Sequence, residues 1–316
     1  MVQAIFDDEC PGTRSCWTYP DTGIWDPDRN TNEFCAMLPE YRRHGLLAVT
    51  VGLQGGGSIY KKEVYDSYVN SAFSPDGTFK QAYFDRLARV LKAADDAGMV
   101  VIVNYFYFKQ AARFASEQVA YETAERITEW LLNTGYRNVL VDIANESGEF
   151  WHYPALEPKN IHKAIDIVKS VSVNGRRLLT GNSAAGGMQI PEDKWFSLED
   201  FSMPHGNGLQ PSELKVYLQK LKALPLYKKR PRPLLVNEDS IIVENLESAV
   251  EEHASWGYYS QGYGSGYRDL TDWTAHGREA RFEELSGYQT VPVNWGINTA
   301  EKTAFFHRLK TITTGR

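Results

Sequence analysis

Apolar runs of strand length alternate along this chain with stretches whose apolar residues recur at helical spacing. Eight runs read as strands: residues 2–6, 46–52, 100–106, 139–144, 177–181, 201–203, 234–237 and 257–261. Helices are predicted over 33–44, 79–97, 119–132, 161–170, 211–223, 246–255 and 299–311. The clearest is 79–97, where Tyr83, Phe84, Leu87, Val90, Leu91 and Ala94 make one apolar stripe and Gly98 supplies the stop. The same punctuation returns at Arg43-His44-Gly45 and Asn133-Thr134-Gly135, each time just before a strand. Strand, helix, strand at this rhythm implies parallel pairing, so the expected fold is α/β, a (β/α)8 TIM barrel forming one catalytic domain over residues 1–316. An open doubly wound sheet holding a dinucleotide would need a phosphate-binding glycine turn, and Gly55-Gly56-Gly57 lacks the spacing.

Composition narrows the partner. Aromatic residues make up 13% of the chain, including 18 Tyr and 8 Trp, and their flat faces suit the C–H faces of sugars as well as core packing. With a net charge of -6 and scattered basic residues apart from Lys228-Lys229-Arg230 and Arg232, nucleic acid is not an expected partner. No apolar stretch is long enough for a membrane span. Met1 leads almost at once to Asp7-Asp8, so no secretory leader is read here; the expected location is cytoplasmic, or secreted with the leader absent. Strand one starts at the chain start, leaving no segment here to cover the barrel floor. Three cysteines, Cys10, Cys16 and Cys35, are too few and too unevenly spaced for a disulfide framework, so free thiols are expected.

Two strands end alike. The runs 139–144 and 234–236 are each followed at once by Asn-Glu, as Asn145-Glu146 and Asn237-Glu238. A carboxylate at a buried strand end is costly to desolvate, and in a barrel the C-terminal strand ends converge on the face where chemistry is done. The residues gathered there include Asp7, Asp8, Gln54, Asn104, Tyr105, Tyr107, Asn145, Glu146, Asn182, His205, Asn207, Asn237, Glu238, Tyr259 and Gln261. That set is a polyol-binding surface with two acids inside it. Trp151, Trp256, Trp273 and Trp295 are possible stacking platforms or core residues, and the segment 262–289 reads as a loop walling the cleft. Asp142 reads equally as a buried structural acid or a site residue; Asp239 reads as a supporting group and Glu149 as a solvated or substrate-contacting acid.

The Asn145-Glu146 pair after strand four, Glu238 after strand seven, a His at strand six and an aromatic-rich strand eight together resemble the retaining glycoside hydrolases of clan A. Residues 46–57, His205-Gly206-Asn207-Gly208 and Pro292-Val293-Asn294-Trp295-Gly296 also resemble a group of little-characterised bacterial glycosidase-like proteins. The clan resemblance implies Glu146 as general acid/base and Glu238 as nucleophile, with carboxyl groups about 5 to 5.5 Å apart. It further implies Asn145 on the sugar 2-hydroxyl; from the strand-end positions and the aromatic candidates, substrate contacts are expected from His205, Asn207, Tyr105, Asn104, Gln54, Tyr259, Trp256, Asp8 and Trp295. An oligo- or polysaccharide is the implied partner, with no cofactor and no metal. Clan members usually carry Arg near the end of strand two, where this chain has Leu53-Gln54-Gly55-Gly56. Two other readings stand beside this one: a carbohydrate-binding pseudoenzyme, which would need no paired acids, and a metal-dependent hydrolase with His205, Asp7 and Asp8 as ligands.

Overall fold

The structure, a computed structural model, describes residues 1–56, 67–148, 151, 153–260 and 291–314. The strands are β1 (Ala48–Gly52), β2 (Val100–Phe106), β3 (Val139–Ala144), β4 (Leu179–Gly181), β5 (Ser183–Ala184), β6 (Met203–Pro204), β7 (Leu235–Val236) and β8 (Ser255–Trp256). The pairings among these strands are parallel: β1 to β4 form one sheet in that order, β5 pairs with β6 and β7 with β8. Single parallel bridges join the pieces, Val2 to Val51, Ser147 to Ala184 and Ser202 to Leu234. Taking β4 and β5 together, the succession from Val2 to β8 gives the eight positions of a (β/α)8 barrel.

Alternation along the strands sorts the side chains. On β2, Val101, Val103 and Tyr105 face the helices, while Ile102 packs inside the barrel with Phe201 and Met203. The stripe of the helix Gln81–Asp96 is buried as its periodicity predicts, and Gly98 ends that segment at φ 65°, a left-handed value that glycine takes without steric cost.

Several boundaries differ from the sequence expectation. Strand one shrinks to the single bridge at Val2 because side chains take the carbonyls a ladder would use: Asn30 Nδ2 donates to Gln3 O (2.8 Å), Thr31 Oγ1 to Ala4 O (2.8 Å) and Arg86 Nε to Ile5 O (3.3 Å). The helix expected from residue 33 begins at Pro27, capped by Asp26, whose carboxylate accepts from Arg29 N at 2.9 Å. The helix expected to reach residue 255 stops at Glu251; His253 adopts φ 52° and Ala254 N closes on Ala249 O at 2.8 Å. Strand eight therefore starts earlier than read, at Ser255, whose N–H meets Leu234 O at 3.0 Å. The three cysteines are unbridged. No helix among the described residues is long and apolar enough to cross a membrane. The expected loop 262–289, with Gln261 and Trp273, lies outside the described residues, as does Glu149.

Candidate active site

Three strand ends converge. β3 runs into Asn145 and Glu146, β6 into His205, and β7 into Asn237, Glu238 and Asp239. His205 Nδ1 lies 3.0 Å from Glu146 Oε1 and 3.9 Å from Glu238 Oε1. One carboxylate oxygen from each Glu and the imidazole nitrogen all fall within 4.8 Å of one another. The imidazole is fully buried, the Glu238 side chain is 8% exposed and the Glu146 side chain 21%, so Glu146 is the member of the cluster most open to solvent.

Electrostatics follow from that packing. Burial alone would push the Glu238 carboxyl up, but the Met1 amino group, His205 and Asn207 together hold it below the ordinary glutamate value. The Met1 nitrogen donates to Glu238 Oε2 at 3.1 Å and Asn207 Nδ2 to Glu238 Oε1 at 3.4 Å. Burial by itself would lower His205; the charges of Glu238, Glu146 and Asp142 outweigh it and keep the imidazolium favoured above its usual range. The same three donor groups, Glu146, His205 and Glu238, are the residues that could hold a divalent cation.

Glu146 itself sits at φ 55°, a left-handed conformation that costs a side-chain-bearing residue about 1–2 kcal/mol. Its N–H donates to Ser183 Oγ (2.9 Å) and its carbonyl accepts from the buried Trp151 Nε1 (3.0 Å). Behind it, Asp142 points into the barrel and accepts from Asn104 Nδ2 (2.9 Å), Ser183 N (2.9 Å) and Ser183 Oγ (3.1 Å). Burial pushes Asp142 up to about 6 against the pull of His205 and those hydrogen bonds. Asp239 is likewise raised by burial to about 6; it accepts from Asn245 Nδ2 (2.8 Å) and from Trp256 Nε1. Gly206 leaves the room for it, since a Cβ there would lie 2.3 Å from Asp239 Oδ1.

The expected site residues divide on these contacts. Glu146, His205, Asn207 and Glu238 form the cluster. Asn145 adjoins it, its N–H on Phe106 O (2.9 Å) and its side-chain amide without a hydrogen-bond partner among the described residues. Asn104 reaches the cluster only through Asp142. Tyr259 is buried, with its N–H on Ser240 O at 3.1 Å.

Five expected contacts have other occupations. Tyr105 is corrected to the helix face of β2, where its hydroxyl meets Thr128 Oγ1 at 3.0 Å. Trp295 packs on Phe34 with ring centroids 4.7 Å apart and donates to Asn30 Oδ1 (3.2 Å). Trp256 turns its indole N–H to Asp239 and its ring toward Phe305. Gln54 bridges Ser71 Oγ (3.0 Å) and Tyr107 N (3.1 Å). Asp8 is fully engaged by Cys10 N (2.9 Å), Val69 N (2.9 Å), Thr13 Oγ1 (2.5 Å) and Trp17 Nε1 (2.7 Å), while Asp7 pairs with Arg14 and Trp25. The ligand set of His205, Asp7 and Asp8 is thus not assembled: both aspartates are committed to other partners. Sequence reasoning missed Met1 and Ser183; the first gives no signal in the pattern, and the second is a small polar residue inside the run Gly181-Asn182-Ser183-Ala184.

No protein-family model and no curated protein matches the sequence. Solved structures do match in fold. An exo-β-1,4-mannosidase, Op5Man5, from Opitutaceae bacterium strain TAV5 superposes with a TM-score of 0.57 at 13% identity, over 90% of this chain and 56% of the mannosidase. A broad-specificity endoglucanase from Clostridium longisporum gives 0.56 at 10% identity, covering 88% of this chain and 86% of that one. A glycoside hydrolase family 5 enzyme from Prevotella bryantii gives 0.52 at 13% identity, covering 87% and 86%. The barrel read from the sequence is thus the fold of these enzymes.

Proposed function

We propose that the protein is a glycoside hydrolase working by double displacement with retention, Glu238 as nucleophile and Glu146 as acid/base. The observation that carries this reading is the approach of the two carboxylates: oxygens within 4.8 Å suit direct attack, whereas inverting enzymes keep about 6.5–9.5 Å to house a water. Glu238 Oε2 is anchored by Met1, and Oε1, which among the described residues accepts only the longer 3.4 Å hydrogen bond from Asn207, is the oxygen to attack the anomeric carbon. As that bond forms, the glycosidic C–O bond breaks and its oxygen takes a proton from Glu146. His205 Nδ1, 3.0 Å from Glu146 Oε1, is placed to exchange a proton with that carboxyl. In the glycosyl-enzyme Glu238 has no charge, so His205 loses one of the charges that keep it protonated. Water then gives a proton to Glu146 and attacks the anomeric carbon, releasing Glu238.

Asn145, whose side-chain amide has no hydrogen-bond partner among the described residues, is the group for the sugar 2-hydroxyl. The substrate is an oligo- or polysaccharide; the Prevotella bryantii enzyme was also solved, as an E280A mutant, with a xyloglucan tetradecasaccharide. A panel of nitrophenyl glycosides followed by NMR of the newly formed anomer tests the reading. Retention is expected, with a fall of about 10³-fold or more in kcat for Glu238→Ala and partial recovery with azide. Inverted product, or a Glu238→Ala enzyme as active as the parent, refutes it.

A further inference from the structure

Ser183 is the polar residue on which the turn carrying Glu146 closes, and nothing in the chemistry above employs it. It is fully buried and engaged through its N–H, its carbonyl and its hydroxyl. Its N–H donates to Asp142 Oδ1 (2.9 Å), its carbonyl accepts from Ser147 N (3.0 Å), and its Oγ accepts from Glu146 N (2.9 Å). The single hydroxyl proton has two acceptors at 3.1 Å, Asp142 Oδ2 and Ala144 O. A charged acceptor draws it more strongly than a neutral carbonyl. With the proton on the Asp142 side, an Oγ lone pair faces the Glu146 amide.

We propose that Ser183, oriented by Asp142, is a positioning residue that clamps the Glu146 amide and holds Glu146 in the left-handed turn that carries its carboxylate to His205 and Glu238. A regular strand would continue its ladder at residue 146; the left-handed residue leaves that ladder, and its N–H needs another partner. The Ser183 hydroxyl is that partner, and a hydrogen bond to it is comparable in size to the strain of the turn, so removing it frees the backbone to relax. Asp142 is itself fixed from the other side by Asn104, which ties β2, β3 and β5 into one support. The catalytic half of this proposal rests on the glycosidase reading; the backbone clamp does not.

Two readouts separate the halves. Amide hydrogen exchange at Glu146, read by NMR, is expected to quicken about tenfold or more in Ser183→Ala and to return in Ser183→Thr, which keeps the hydroxyl. On a nitrophenyl glycoside, kcat is expected to fall about tenfold with KM unchanged in Ser183→Ala, again restored by Thr. Asp142→Asn, which keeps the volume but can donate to Ser183 Oγ, is expected to act in the same direction and guards against a Ser183 variant that does not fold. Unchanged exchange at Glu146 overturns the clamp; faster exchange with unaltered kcat overturns the positioning role. If the parent protein turns over no glycoside, the glycosidase reading falls, and the exchange ratio alone still decides whether Ser183 holds the turn.

Discussion

Glu199 offers a measurement that reaches the barrel wall behind the cluster without any substrate. The residue is fully buried and accepts from Trp195 Nε1 (2.7 Å), Ser202 Oγ (2.7 Å) and Asn182 N (3.1 Å). Asn182 in turn accepts from Ala144 N at 3.0 Å, just before Asn145-Glu146. Burial pushes the Glu199 carboxyl from 4.5 to about 8, against the pull of its three donors and of Arg232. A raised acid binds its proton in the folded state where the unfolded chain has lost it, so stability falls as pH rises between those two values. At about 1.4 kcal/mol per pH unit, the penalty is absent below pH 4.5 and grows to about 3 kcal/mol at pH 7 and about 5 kcal/mol above pH 8. Glu199→Gln keeps the size and an acceptor oxygen but cannot ionise; the Ser202 hydroxyl can turn to accept from its amide. Urea unfolding of both proteins at pH 5, 7 and 9 gives the difference directly, which cancels the contributions of Asp142 and Asp239. The variant is expected to gain on the parent by several kcal/mol between pH 5 and 9. A difference constant to within 1 kcal/mol would falsify the argument.

Two further expectations follow from the contacts around the cluster. Asp8→Ala leaves four donors without their acceptor, the Thr13 hydroxyl and Trp17 indole among them buried, and should cost about 3–5 kcal/mol in urea unfolding; a loss below 1 kcal/mol would mean the N-terminal loop is held by something other than Asp8. His205 is protonated above its usual 6.5 in the folded state, so its contribution is complete below pH 6.5 and fades as pH rises through the folded-state value. The deficit of His205→Gln should accordingly shrink with rising pH, and a deficit that grows instead would show that the imidazole is not held charged by Glu146 and Glu238.

The chain's period made most of the barrel legible. Polar residues at the ends of apolar runs mark β3, β6 and β7, and Glu146, His205 and Glu238 meet because parallel strands bring those ends to one face. Tyr105 went astray where proximity to a strand end was given more weight than alternation: Asn104 bonds Asp142 inside the barrel, so its neighbour must face the helices. Trp256, Trp295 and Asp8 have the composition of a sugar site, but their polar atoms are satisfied by Asp239, Asn30 and the residue 10–69 loops, partners fixed only by tertiary contact. Strand one failed for a related reason. Its apolar pattern is genuine, yet Asn30, Thr31 and Arg86 compete for its carbonyls from distant positions, and no local window contains them.

The left-handed backbone of Glu146 bears on how such a sequence can change. Position 146 is one where glycine or asparagine would rest more comfortably than any long side chain. Replacement by glycine would relieve the local strain while deleting the carboxylate, so drift toward greater stability at this turn runs directly against keeping an acid there. At this turn the backbone preference and the proposed role of the side chain pull in opposite directions, so a Glu146→Gly chain is expected to be the more stable protein and the one without the acid.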